Sequence, residues 1–103
     1  MKWAHEIATT EKIPYIDLNT ITARRLEKEN PDDVRTKYFT PPNDGTHTNP
    51  AGAKLNAESV IMGLRALPTL KLNEFLADAG KALDPADKSD VELPAASEKP
   101  DPK

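Results

Sequence analysis

Residues 43–67 read NDGTHTNPAGAKLNAESVIMGLRAL, and this stretch decides the architecture predicted for the chain. Its first part is a loop rich in proline and glycine, in which Asp44 lies three residues before His47. Its second part has apolar residues at helical spacing, which predicts an amphipathic helix with one buried face. The loop would present polar side chains, and the helix behind it would anchor them.

The predicted helix has recognisable ends. Asn49 is a candidate N-cap, and Pro50 suits the first helical position because its missing N–H has no intrahelical partner to lose there. Pro68 disfavours helical backbone in the residue before it, so the helix is predicted to end at Leu67. The residues expected to face inward are Ala53, Ala57, Val60, Ile61, Leu64 and Leu67.

The acid and the histidine of the loop have the spacing of a catalytic pair. In a turn, the Asp44 carboxylate can accept the Nδ1 proton of His47, which would fix the tautomer and leave Nε2 as a general base. The sequence Asp44-Gly45 is also typical of an ordinary solvated turn, and the spacing alone favours that simpler interpretation.

The segment DGTHTNPAGAKLNAESVIMGL resembles the last conserved block of the SGNH (GDSL-type) hydrolases, an Asp-x-x-His motif at the head of the final helix. It is most similar to the form in rhamnogalacturonan acetylesterases and related carbohydrate esterases. The preceding IPYIDLNTIT resembles the strand and helix before that block. The resemblance implies an α/β fold: residues 1–83 would be the C-terminal portion of a three-layer α/β/α, flavodoxin-like domain, mostly helical with one recognisable parallel-type strand.

By the same resemblance, Asp44 and His47 would be the acid and the base of a Ser-His-Asp triad. The family's substrates are O-acetyl esters on pectin-type polysaccharides, and no metal or organic cofactor is implied. The family's Gly-Asp-Ser block and oxyanion-hole residues do not occur in this sequence, whose serines are Ser59, Ser89 and Ser97. A fragment of this kind is expected to be inactive alone. The alternative is a non-catalytic truncated module or a small helical interaction protein.

Residues 13–18 (IPYIDL) are apolar at nearly every position, which predicts a buried strand of a parallel sheet. Helices are predicted over residues 2–11, 20–30 and 70–83. No second strand of similar quality is found, and a lone strand leaves buried backbone groups unpaired at about 1–3 kcal/mol each. The rest of the sheet is therefore expected on other polypeptide, and self-association through the open edge is possible. The inward residues predicted for the last helix are Leu72, Phe75, Leu76 and Ala79.

The net charge of −3 is concentrated in residues 84–103, which carry six acids, three lysines and four prolines. This composition predicts a disordered tail. Residues 1–83 are neutral overall, so no nucleic-acid surface is expected. No apolar run is long enough for a membrane span, and residues 1–11 do not form a signal peptide. Proteins of the family are often extracellular or periplasmic, and the sequence leaves the location of this one open.

Five other side chains, either charged or aromatic, have alternative solvated, packing or binding roles. His5, Arg24 and Arg25 are expected to be solvated, with a contact to an anionic substrate as the alternative for the two arginines. Tyr38 and Phe39 precede the loop, and we expect them to pack beneath it, with a sugar-binding role as the alternative. The absence of cysteine excludes disulfides and thiolate metal sites.

Overall fold

The computed structural model describes residues 2–40 and 46–92. These residues are mostly helical, with one small antiparallel sheet of two strands. Short 3₁₀ turns lie at Pro68–Leu70, Asn73–Phe75 and Lys88–Asp90. The helices and strands, in chain order, are α1 (Lys2–Glu11), β1 (Tyr15–Ile16), α2 (Leu18–Leu26), α3 (Pro31–Tyr38), α4 (Pro50–Arg65), α5 (Asp78–Lys81) and β2 (Val91–Glu92).

The predicted start of α4 is confirmed. Asn49 is the N-cap, its side-chain oxygen accepts a hydrogen bond from the Gly52 N–H at 2.9 Å, and Pro50 is the first helical residue. The helix ends at Arg65, two residues before the predicted end at Leu67. Within residues 2–40 and 46–92, no helix combines the length and the apolar character that a membrane span needs.

The predicted inward face of α4 was wrong at three of six positions. Ala53, Ala57 and Val60 are exposed, whereas Ile61 and Leu64 are half-buried and Leu67 is buried. The buried positions of α4 have small side chains at three of four places, which lets neighbouring backbone approach the helix closely. Packing on that surface therefore prevails over the larger apolar residues beside it. The buried residues of α4 are Gly52, Leu55, Ser59 and Gly63.

The strand predicted over residues 13–18 is shorter, and its pairing is antiparallel instead of parallel. Tyr15 lies opposite Glu92, and Ile16 lies opposite Val91. The second strand lies within residues 84–103, which were predicted to be a disordered tail. The sequence did not reveal it, because a two-residue strand is too short to show a periodic pattern. Of that predicted tail, residues 84–92 pack against the helices, and residues 93–103 lie outside the described residues.

Strand β1 has a helix on each of its faces. Successive side chains of a strand point to opposite sides, and the Tyr15 ring meets the His5 ring of α1 edge-on, with 5.0 Å between the ring centroids. On the other side, Ile16 packs against Gly63 of α4, where an added Cβ would lie 2.5 Å from Ile16 Cγ2. Helices α1 and α4 therefore contact opposite sides of β1, through Tyr15 and Ile16 respectively.

Residues 70–83 do not form the single helix that was predicted. Lys71 has a φ of 61°, in the left-handed region, and this ends the first 3₁₀ turn. Of the residues predicted to face inward, Leu76 is half-buried, whereas Phe75 is 79% exposed and Leu72 is 44% exposed. A short helix is stabilised mainly by burial of its apolar face. Because Leu72 and Phe75 are exposed, a helix over residues 70–83 would gain little from packing.

The contact between Gly63 and Ile16 gives a test of the packing between α4 and β1. Because the Ile16 side chain is branched at Cβ and stiff, Gly63→Ala should force the two elements apart. We expect this substitution to lower the free energy of unfolding by about 1–3 kcal/mol, measured by urea denaturation.

The matched control for that test is Gly80→Ala. Gly80 is also a buried helical glycine, but its added Cβ would meet its nearest neighbour, Leu76 Cβ, at an ordinary 3.5 Å. The control should be neutral or stabilising, because alanine favours the helix by roughly 0.5–1 kcal/mol. Equal destabilisation by both substitutions would contradict the proposed packing.

Candidate active site

The described residues on each side of the loop fix the backbone position of His47. The Thr40 N–H donates a hydrogen bond to the His47 carbonyl oxygen at 2.9 Å, and Thr48 forms an isolated antiparallel bridge with Phe39. The His47 residue itself is exposed. The loop between α3 and α4 therefore presents an exposed histidine on backbone that is tied back to the end of α3.

Asn49 joins the two helices that flank this loop. Its backbone N–H donates to the Tyr38 carbonyl oxygen at 3.0 Å, and its side-chain Nδ2 donates to the Lys37 carbonyl oxygen at 2.9 Å. Its side-chain oxygen caps α4 through the Gly52 N–H. One side chain thus binds the last turn of α3 and the first turn of α4, two residues after His47.

Gly52 is a residue of this site that sequence reasoning did not single out. A Cβ added to Gly52 would lie 2.1 Å from the Tyr38 carbonyl oxygen and 2.9 Å from Thr48 Cβ. Only a residue without a side chain allows α4 to approach the end of α3 so closely. The sequence did contain a signal for this close approach: a glycine in the first turn of a predicted helix, where glycine is otherwise unfavourable.

Asp44, the predicted acid of the pair, belongs to residues 41–45 and lies outside the described residues. The predicted pairing of Asp44 with His47 therefore stays a prediction. For the histidine of the pair, the structure shows that His47 is exposed and that its backbone is held by a hydrogen bond from Thr40.

Tyr38, at the end of α3, is buried, and its expected packing beneath the loop stays a prediction because residues 41–45 lie outside the described residues. Its hydroxyl donates a hydrogen bond to Glu29, and Lys37 Nζ donates to the same carboxylate at 2.9 Å. These contacts, the Tyr38 hydrogen bond foremost, hold the pKa of Glu29 below its ordinary value. Phe39 is half-buried.

Arg24 is exposed, as expected for a solvated residue, and Arg25 is half-buried, but both bind protein carboxylates. Arg24 grips the buried Asp90 with two hydrogen bonds, Nε to Oδ2 at 2.8 Å and Nη2 to Oδ1 at 3.1 Å. Arg25 donates to Glu58 Oε1 at 2.9 Å. Hydrogen bonds from Lys54 and then from Arg25 lower the pKa of Glu58.

Ser59 is unsuited to replace the family's nucleophile. It is fully buried, its hydroxyl donates to the Leu55 carbonyl oxygen at 2.7 Å, and it accepts a hydrogen bond from Arg25 Nη1 at 3.1 Å. A nucleophile must reach its substrate, and this oxygen cannot. Ser89 is exposed and donates to Asp87 at 2.7 Å.

A second histidine cluster lies beside the small sheet. The His5 side chain is 45% exposed, and its Nε2 lies 2.6 Å from Glu92 Oε2. The cluster borders an open cavity of about 240 Å³ that Tyr15 and Asp17 also line. Burial, and then the charges of Asp17 and Glu92, raise the pKa of Tyr15. In the described part of the chain, no group of three or more His, Cys, Asp or Glu residues could hold a metal ion.

Comparison of this chain with family models, with curated proteins and with solved structures finds no match. The resemblance to SGNH hydrolases therefore rests on the sequence motifs quoted above. The interpretation of the site rests on those motifs together with the exposure of His47 and the hydrogen bond that holds its backbone.

The capping role of Asn49 predicts what its removal does. Asn49→Ala should lower the free energy of unfolding by about 1 kcal/mol, because α4 loses its cap. It should also speed hydrogen exchange at the Thr40 amide, which bonds to the His47 carbonyl in the same loop. Asn56→Ala, at an exposed position within α4, is the control; it should leave the Thr40 amide protected and, because alanine favours the helix, should not lower stability. Unchanged protection of the Thr40 amide in the Asn49 variant would contradict this role.

Proposed function

We propose that this chain supplies the general base His47 and the orienting acid Asp44 to a carbohydrate esterase of the SGNH type, similar to rhamnogalacturonan acetylesterases. The observation that carries the proposal is the exposed His47, mounted at the head of a capped helix within an Asp-x-x-His motif. The arrangement of β1 between α1 and α4 supports an α/β/α domain as its setting.

In this mechanism His47 Nε2 takes the proton of a serine hydroxyl as the serine oxygen attacks an acetyl carbonyl carbon. The bond from that carbon to the sugar oxygen then breaks, and the sugar oxygen receives the proton from His47. A water molecule, deprotonated by His47 in the same way, hydrolyses the acetyl-serine and releases acetate. Asp44 holds the tautomer that each transfer requires, and no cofactor takes part.

The serine and the oxyanion donors belong, in this proposal, to polypeptide that carries a Gly-Asp-Ser block. By itself the chain should be close to inert, since loss of the nucleophile in subtilisin lowers kcat by about 10⁶-fold. Acetylated pectin-type polysaccharide is the proposed substrate of the completed site.

Exposed apolar side chains support the need for a complementary half. On α1, Trp3 is 79% exposed and Ile7, one turn later, is 61% exposed. Phe75 is 79% exposed, and Val60 of α4 is 38% exposed. Trp3 and Ile7 are neighbours on one face of α1, and adjacent exposed apolar side chains of this kind are suited to contact other polypeptide. The complementary half would cover these residues.

The same exposed residues favour a second candidate function, a non-catalytic module that binds a protein partner. The two candidates differ in whether the assembled complex hydrolyses esters.

Co-expression with the polypeptide encoded immediately upstream of Met1 tests the proposal. We expect a complex that hydrolyses p-nitrophenyl acetate. His47→Ala should abolish this activity, because the base is lost. His5→Ala removes the other histidine of the chain and should leave most of the activity. A complex without activity would favour the interaction module, and an upstream sequence without an in-frame Gly-Asp-Ser block would contradict the esterase.

The acid–base pair has a separate test in the isolated chain. If Asp44 accepts the Nδ1 proton, ¹⁵N NMR should show His47 in the Nδ1–H tautomer when it is neutral. Asp44→Asn should shift the mixture toward the Nε2–H form that predominates in free histidine. The control is Asp32→Asn, an exposed acid of α3. If the wild-type chain already has the tautomer mixture of free histidine, the pair does not exist.

A further inference from the structure

Residues 84–92, here called the docking segment, lie in a groove formed by α2, β1 and the end of α4. The Ala86 N–H donates to the Met62 carbonyl oxygen at 2.8 Å, and the Asp17 N–H donates to the Asp90 carbonyl oxygen at 2.8 Å. Strand β2 adds to the edge of β1. Backbone hydrogen bonds therefore hold the segment at Ala86 and Asp90, and its last two residues pair with β1, as in binding by strand addition.

Charge and burial make the groove selective for this segment. Asp90 is 4% exposed, and its carboxylate is held by the forked contact with Arg24. A buried carboxylate is strongly destabilised without such a partner. Glu92 binds His5, and the side chains of Ala86 and Val91 are buried. The groove thus accepts an acidic segment that contains a 3₁₀ turn and buries apolar side chains at Ala86 and Val91.

The connection from the body of the chain to the docking segment is short. Helix α5 ends at Lys81, and residues 82–85 lead to the first docking contact at Ala86. Ala82, Asp84 and Pro85 are exposed. Opening this connection would leave the contacts of the groove unchanged, so the segment of a second copy offers the groove the same contacts as its own.

We propose that the groove accepts the docking segment of a second copy, so that two chains exchange residues 84–92 in a symmetric dimer. Each copy carries both the groove and the segment, and the contacts within one chain and between two chains are the same. The balance therefore depends on concentration, because a short tether gives the intrachain segment an effective concentration on the order of millimolar. The wild-type chain should be mostly monomeric at micromolar concentration.

Charge reversal on one side of the groove tests the exchange. In Arg24→Asp the groove repels its own segment, and in Asp90→Arg the segment no longer fits its own groove. The segment of the first variant and the groove of the second are both native. We expect each variant alone to be monomeric and an equimolar mixture to form a heterodimer, resolved by light scattering and identified by its mass in native mass spectrometry.

A cysteine trap tests the same proposal with smaller changes. The chain has no cysteine, and Ile16 and Val91 face each other in the strand pair. Their Cα atoms lie within disulfide range, since directly opposed residues of antiparallel strands are about 4.5–5.5 Å apart. Mixing Ile16→Cys and Val91→Cys chains under mild oxidation should give an interchain disulfide between positions 16 and 91, identified by peptide mapping.

One chain that carries both cysteines is the control for geometry, and it should form the same disulfide within the chain. The proposal is overturned if this control closes while the two mixed single variants give no disulfide between positions 16 and 91. Docking would then occur only within one chain. A heterodimer of the charge variants or the interchain disulfide would each establish that the groove accepts the segment of another copy.

Discussion

The contact of Arg25 with α4 is the interaction on which the rest of the structure depends. From α2, its Nη1 donates to the Leu55 carbonyl oxygen at 3.0 Å and to the fully buried Ser59 hydroxyl, while its Nη2 binds Glu58. Hydrogen bonds that involve a charged group are stronger than neutral ones. This contact helps to fix the rotation of α4 about its axis, and that rotation turns Gly52 toward α3 and Gly63 toward β1.

The neighbouring Arg24 has the same role for the C-terminal segment. It holds Asp90, and this brings β2 to one edge of β1. Two consecutive residues of α2 therefore bind two different parts of the chain, one on α4 and one 66 positions away. The sheet, helix α4 behind the His47 loop, and residues 84–92 are therefore all held by one short helix, α2.

The second edge of β1 connects the fold with the proposed function. The Asp17 N–H bonds to the Asp90 carbonyl oxygen, so in the alternation of an antiparallel ladder the N–H and C=O of Ile16 point away from β2. No strand among residues 2–40 and 46–92 pairs with them. A strand with helices on both faces and an unpaired edge is suited to extension by further polypeptide, as an enzyme completed by a Gly-Asp-Ser half would require.

Features that depend on residues within one helical turn of each other could be predicted from the amino-acid sequence. Asn49 and Pro50 start α4, and α1 spans the predicted residues. The motif around His47 was readable for the same reason, although the position of Asp44 lies outside the described residues. The buried face of α4, the strand that pairs with β1, and the carboxylates bound by His5, Arg24 and Arg25 became known only from the folded chain. Each of these depends on residues far apart in sequence, and a two-residue strand or a single ion pair leaves no periodic pattern from which to predict it.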